Sequence, residues 1–229
     1  MPGKMTRIAI KLQKIINEIR HAEAEARRAS HSVQLLAVSK TKPSNIIIEA
    51  YQAGQRHFGE SYLQEALLKQ NELAHYQITW HFIGPIQSNK TRQIAQHFSW
   101  VHSVDRLKIA SRLSEQRPRD LPPLNVCLQV NISQEPTKSG VQLSDLADMI
   151  EHVSQLPNIA LRGVMAIPEP AQTFAQQKQP YHVLYQAVQA LGKPELDTFS
   201  FGMTGDLKAA IAEGATIVRV GTALFGMRN

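Results

Sequence analysis

Lys40 closes the run LLAVSK (35–40), in which four apolar residues and a serine lead to a lysine and then to TKP. Most lysines are solvated surface residues. One at a strand end, next to apolar walls and a second cation such as Arg219, is pushed toward its neutral form, which is the form that attacks an aldehyde. The chemistry on offer is a Schiff base, with Lys42 read as positive charge at the rim. A second constellation is SFGMTGD followed by VRVGTALFG. Gly202, Gly205 and Gly221 remove side chains where backbone would approach an anion, and Thr204 or Asp206 suits the cap of the next helix. Ser200, Gly221 and Thr222 are the donors assigned to that anion. Any one of these glycines alone is better explained as a turn former. Arg219, flanked by Val218 and Val220, is costly to bury unless something accepts its hydrogen bonds. A ligand, a carboxylate, or escape to the rim would each serve, and the residues leave the choice open.

His81 in WHFIGPIQSNK could line the same mouth, although a satisfied core histidine is the commoner fate. None of the nine histidines forms a recognised metal spacing, and the serine-hydrolase and P-loop patterns are absent. No metal ligand and no catalytic residue is assigned.

These residues need a scaffold. Ile8, Leu12, Ile15, Ile16 and Ile19 fall on one helical face, so a helix within residues 1–30 is expected to pack on the body of the domain. After it, short apolar runs alternate with helical patterns. The strands expected are 35–40, 57–60, 78–84, 100–104, 125–132, 160–167, 198–202 and 217–226. Helical stretches such as NIIIEAYQAG, SYLQEALLKQNEL, DRLKIASRLSEQ, LSDLADMIEHVSQL and DLKAAIAEG lie between them, with Pro43 expected in the first turn of the helix after Lys40. Eight strand–helix units in 229 residues are the material of a single (β/α)8 TIM barrel with an extra N-terminal helix, one α/β domain over 1–229. An open doubly wound sheet is the competing fold. In a barrel, ligands meet the C-terminal ends of the strands, where Lys40 and the glycine cluster would both stand.

The totals exclude several classes. A chain 43% hydrophobic and 19% charged has ample apolar surface to bury, which argues against disorder. The net charge of +6 is spread among acidic neighbours: Lys11, Lys14, Arg20, Arg27 and Arg28 are interspersed with Glu18, Glu23 and Glu25. A solvated helix face explains that pattern without nucleic acid. A single cysteine, Cys127, builds neither a disulfide framework nor a thiolate metal site. With no signal-peptide pattern and no run of 18 apolar residues, a cytoplasmic protein with no membrane span is expected.

AVSKTKP, HFGES with YLQEALLK, WHFIGPIQSNK, VNISQEPTKSG, RGVMAIP, FGMTGDLKAAIAEGAT and VRVGTALFG, in that order from about Leu35 to Gly226, closely resemble the pyridoxal phosphate homeostasis protein family. Members of that family are similar to the barrel domain of bacterial alanine racemase and carry pyridoxal 5'-phosphate (PLP) as a Schiff base on the lysine of AVSKTKP, which here is Lys40. The resemblance places phosphate contacts on Ser200, Gly221 and Thr222, counts Met203 in the binding set, and sets Arg219 near the pyridine nitrogen. Two positions depart from the family pattern. Ser61 in FGES stands where an asparagine near the cofactor is usual, and GMTGD replaces GMSxD, with Thr204 keeping a hydroxyl.

The resemblance implies a PLP-binding protein of vitamin B6 homeostasis that stores or delivers the cofactor, with PLP-dependent apoenzymes as partners. An acidic residue that protonates the pyridine nitrogen makes PLP a strong electron sink, and an arginine cannot take that role. A chain ending at Asn229, directly after its last strand, is expected to lack the second domain and the dimer interface of a racemase, hence to be a monomer without turnover of its own. The rivals are a small racemase of the same barrel, a Schiff-base aldolase acting through Lys40, and a basic RNA- or protein-binding barrel.

Overall fold

The computed structural model describes residues 5–133 and 139–227. Part of the motif VNISQEPTKSG therefore lies outside the described residues. Nine strands are present among those described: β1 (Gln34–Val38), β2 (His57–Glu60), β3 (Thr79–Phe82), β4 (Trp100–Val104), β5 (Leu124–Asn131), β6 (Val141–Gln142), β7 (Ile159–Ala166), β8 (Thr198–Ser200) and β9 (Ile217–Val220). All pairings are parallel, and they run β4-β3-β2-β1-β9-β8-β7-β5 with β4 also paired to β5. Eight strands thus close into a barrel and leave no open edge within it, so the open doubly wound sheet is ruled out. The two-residue β6 was not expected from the sequence; it extends β5 outside the ring.

Helices α1 (Arg7–Glu25), α2 (Ser44–Gln52), α3 (Leu63–Glu72), α4 (Thr91–His97), α5 (Leu107–Gln116), α6 (Leu146–Ser154), α7 (Phe174–Gln189), α8 (Leu207–Ala212) and α9 (Thr222–Phe225) surround it. The first begins where Thr6 Oγ accepts from the Ala9 N–H, and it buries Ile8, Leu12, Ile15 and Ile19 against α2, α8 and α9. Its far end is tied down by a buried carboxylate: Glu23 pairs with Arg20 and accepts from the backbone N–H of His31 and Val33, which delivers the chain into β1. Arg28 then donates to the carbonyls of Ile211 and Ala215 on the far side of the barrel seam.

Several boundaries differ from the sequence reading, each for a local reason. The first strand stops at Val38, two residues before Lys40, because a turn closed by the Lys42 N–H and the Ser39 carbonyl intervenes. Pro43 precedes the helix as its N-cap, with ψ 160°, and does not lie in its first turn. The apolar run 217–226 is not one strand: the chain leaves β9 at Gly221 and turns into α9. Among the described residues, no helix is long and apolar enough to cross a membrane, and no group of three or more His, Cys, Asp or Glu is placed to hold a metal ion. A cavity of about 770 Å3 opens between α7, α8 and the N-terminal side of β8 and β9, lined by Arg28, Tyr185, Lys193, Asp197 and Thr216. It is not at the strand ends that carry the sequence motifs.

Candidate functional site at the strand ends

In the ring, β2, β1, β9 and β8 are consecutive neighbours, and their C-terminal ends carry Ser61, Lys40, Gly221 with Thr222, and Met203. The register Ala37 to Val220 brings Gly221 beside Val38, so the lysine turn and the start of α9 share one rim. A Cβ on Gly221 would come within 3.3 Å of both the Cβ and the carbonyl oxygen of Val38, tighter than ordinary packing, and glycine keeps that seam closed. The Thr222 and Ala223 N–H groups precede the first hydrogen bonds of α9, which run from the Leu224 and Phe225 N–H groups to the Gly221 carbonyl.

Lys40 is half-buried and stands between two immobilised neighbours. On one side, Ser39 is fully buried, with its N–H on the Gly59 carbonyl, its hydroxyl 2.6 Å from Glu60 Oε1 and its carbonyl accepting from Lys69 Nζ at 2.8 Å. On the other, Thr41 adopts φ 64°, a conformation a β-branched residue rarely takes, and its N–H donates to Glu65 Oε1 at 2.6 Å. Strain of this kind persists only where the surroundings over-determine it, and here Lys69 binds Glu60 and Glu65 together beneath the turn. Burial holds the Glu60 carboxyl above the usual range, with Lys69 and Ser39 pulling the other way, and its Oε2 finds no partner among the described residues.

Arg219 points into the barrel and is 5% exposed. The acceptors it meets are neutral oxygens: Ser200 Oγ at 2.8 Å, the Ser200 carbonyl at 2.5 Å and the Ala166 carbonyl at 3.0 Å. Burial lowers its pKa, although a guanidinium keeps its proton at any ordinary pH. Ser200 is fully buried, and its hydroxyl lies between Arg219 and His102 Nδ1, 2.8 Å from each. Its side chain therefore faces the arginine and the barrel interior. Met203 is 40% exposed; its backbone N–H is held by Asp206 Oδ1 at 2.7 Å, while Oδ2 accepts from the Tyr181 hydroxyl. Asp206 takes the N-cap position of α8 but spends its carboxylate on this loop instead of on the helix. Gly202, at φ 83°, packs so closely on Ala210 that a Cβ would sit 2.5 Å from that side chain. Ser61 is half-buried, and its carbonyl lies where a Cβ on Gly84 would be 2.1 Å away.

Sequence reasoning missed Glu60, Lys69, His57 and His102. His81 is a satisfied core histidine, with Nε2 3.0 Å from His57 Nδ1 and Nδ1 2.9 Å from His102 Nε2. Cys127 is buried, which pushes its thiol up to about 12 and leaves it unreactive.

Residues 10–229 match the family described as alanine racemase, N-terminal domain. A pyridoxal phosphate homeostasis protein of Pseudomonas aeruginosa is 60% identical over 225 residues, covering 98% of this chain and 97% of the relative. PipY of Synechococcus elongatus PCC7942, solved with PLP bound, superposes with a TM-score of 0.80 at 41% identity, over 91% of this chain and all of PipY. The alanine racemase of Corynebacterium glutamicum shares the fold, with a TM-score of 0.66 at 16% identity, over 94% of this chain and 61% of the racemase. The chain belongs to the pyridoxal phosphate homeostasis protein family.

Proposed function

We propose that this chain binds pyridoxal 5'-phosphate at the C-terminal ends of β1, β2, β8 and β9 as a Schiff base on Lys40, and stores or hands on the cofactor in vitamin B6 homeostasis. The observation that carries the reading is the shared rim: a lysine fixed on a strained turn next to the Gly221 seam, with the Arg219 guanidinium below it held by neutral oxygens. The residues fit the group. Gly221 and Thr222 would offer backbone N–H groups to the phosphate, Met203 and Ser61 would line the site, and Arg219 would be the donor available to the pyridine nitrogen. Ser200 contributes through Arg219, which its hydroxyl orients.

Bound there, the cofactor supplies an aldehyde and an electron-withdrawing ring. The chain's own groups do little to exploit it. Arg219 would give the ring nitrogen only a donor that keeps its proton, and Glu60, Glu65 and Lys69 are committed to one another. A holding role without turnover results, in a cytoplasmic monomer whose partners are PLP-dependent apoenzymes, with neither nucleic acid nor membrane required. The test is an absorption spectrum. The purified protein is expected to be yellow, and Lys40→Ala to lose the visible band; an unchanged band in that variant removes Lys40 from the site. Racemase or transaminase turnover of several per second, within the ordinary enzyme range, would overturn the holding role.

A further inference from the structure

Five side chains from five strands form one unbroken series across the barrel: Arg219 on β9, Ser200 on β8, His102 on β4, His81 on β3 and His57 on β2. The successive separations are 2.8, 2.8, 2.9 and 3.0 Å, all ordinary hydrogen bonds. His81, His102 and Ser200 are fully buried, and only His57, at the far end, is half-buried. We infer that this series is a one-way hydrogen-bond chain that holds Arg219 in place and denies a proton to the cofactor's ring nitrogen. The role at the ring nitrogen rests on the PLP reading above; the direction of the chain does not.

The direction comes from what each group can do. An arginine only donates, so its Nη1 gives a proton to Ser200 Oγ. The serine hydroxyl must then place its own proton, and the acceptor it meets among the described residues is His102 Nδ1. That assigns His102 the neutral form protonated at Nε2, which donates to His81 Nδ1; His81 donates in turn from Nε2 to His57 Nδ1. Every buried polar atom in the series is satisfied in this arrangement, as buried groups require. Reversing it would leave the hydroxyl proton facing a guanidinium.

The consequence is that the chain insulates where a proton wire would conduct. A proton added to His57 Nδ1 would face the Nε2–H of His81, and to be accommodated would have to flip each tautomer as far as Ser200. There it stops, because Arg219 has no lone pair to receive a proton. Burial adds to the barrier: desolvation and the neighbouring imidazoles hold His81 well below the usual histidine range, and desolvation with the Arg219 charge brings His102 to about 3. The arginine is thus presented to the site as a fixed cation with no proton source behind it. His57, His81, His102 and Ser200 are positioning residues for Arg219.

The test begins with the PLP-free protein labelled with nitrogen-15. Imidazole NMR between about pH 6 and about pH 8 is expected to show all three histidines neutral and protonated at Nε2. Any of them charged, or protonated at Nδ1, overturns the chain. Ser200→Ala is expected to move the His102 and Arg219 side-chain signals, His102→Gln to preserve the Arg219 signals because its amide keeps one acceptor and one donor, and His102→Leu to disturb them. If His102→Leu fails to fold, Ser200→Ala against His102→Gln still decides, and Arg219 signals unmoved by Ser200→Ala overturn the positioning role. With PLP added, Ser200→Ala is expected to weaken binding about tenfold and to shift the pH midpoint of the visible band, whereas His102→Gln leaves both near wild type. A midpoint and affinity unchanged in Ser200→Ala refute the link to the ring nitrogen. Absence of any Lys40-dependent band in wild type would instead sink the PLP reading, while the tautomers still decide the chain.

Discussion

The ammonium of Lys69 lies 2.8 Å from Glu60 Oε1, both groups shut inside the protein, with the strained turn of Lys40 directly above them. Lys69 stands on α3 four residues after Glu65, Glu60 ends β2, and the two carboxylates reach the opposite flanks of that turn, at the Ser39 hydroxyl and the Thr41 N–H. One buried cation thereby sets the place of a second lysine. The arrangement also explains how Thr41 tolerates φ 64°: its N–H is held by a carboxylate that is itself held by an ammonium.

Lys69→Met is therefore expected to be costly. It leaves Glu60 buried without its cation, a loss of about 3–5 kcal/mol. Thermal unfolding should drop by roughly 10 °C for a chain of this size. Glu60→Gln added to Lys69→Met removes the unpaired charge and should recover much of the loss. Melting curves of the three variants check this, and a double variant no more stable than the single one would mean that the pair matters through packing alone.

Next to Glu60, at the end of β2, Ser61 stands where the resemblance to the family expects an asparagine. Ser61→Asn extends a longer polar side chain from the end of β2 and is expected to tighten PLP binding about fivefold, the worth of roughly one hydrogen bond. Titration of the visible band measures it. Weaker binding would mean that the position does not face the cofactor.

Gly84→Ala tests the support of Ser61 from behind. A methyl there would lie 2.1 Å from the Ser61 carbonyl oxygen, which is backbone and cannot swing aside. The strand end must shift, so PLP affinity is expected to fall by about tenfold with a loss of roughly 1–3 kcal/mol in stability. Binding and melting unchanged from wild type would show that the seam between β2 and β3 yields freely.

The barrel was legible because its strands are runs of apolar and β-branched residues, bounded by turn residues and parted by helical patterns. Sequence reading failed where one kind of residue serves two states: VGTALFG looks like more strand, yet Gly221 ends the ladder and the apolar residues after it wrap as α9. Lys40 and Arg219 could be named from their positions in apolar runs. The polar interior could not, since His57, His81 and His102 are 24 and 21 residues apart and meet only once β2, β3 and β4 lie side by side. Their signal was present in the strands: each stands within one of three successive β-runs, where one face must turn inward. Lys69 gave no such signal, because a lysine four residues after a glutamate on a helix reads as a surface pair.

Those histidines make acid stability the sharpest physical test of the interior. Burial lowers the pKa of His57, His81 and His102 in the folded chain below the ordinary 6.5, to about 3 for His102. Between the folded value and 6.5 the unfolded chain binds protons that the folded chain refuses, so stability is full above that window and falls as the pH descends through it. Each histidine contributes up to about 1.4 kcal/mol per pH unit. Glu60 works in the opposite sense: its raised pKa lets the folded chain bind a proton above 4.5 that the unfolded chain has released, which stabilises the fold as the pH falls and reduces the net slope. Three histidines outweigh one carboxyl, so urea midpoints are expected to decline from about pH 7 to about pH 5. His102→Gln, which keeps the hydrogen bonds but cannot titrate, should flatten that decline by one histidine's share. A slope identical to wild type would show that His102 does not resist protonation in the folded barrel, and with it the barrier at the end of the chain would be lost.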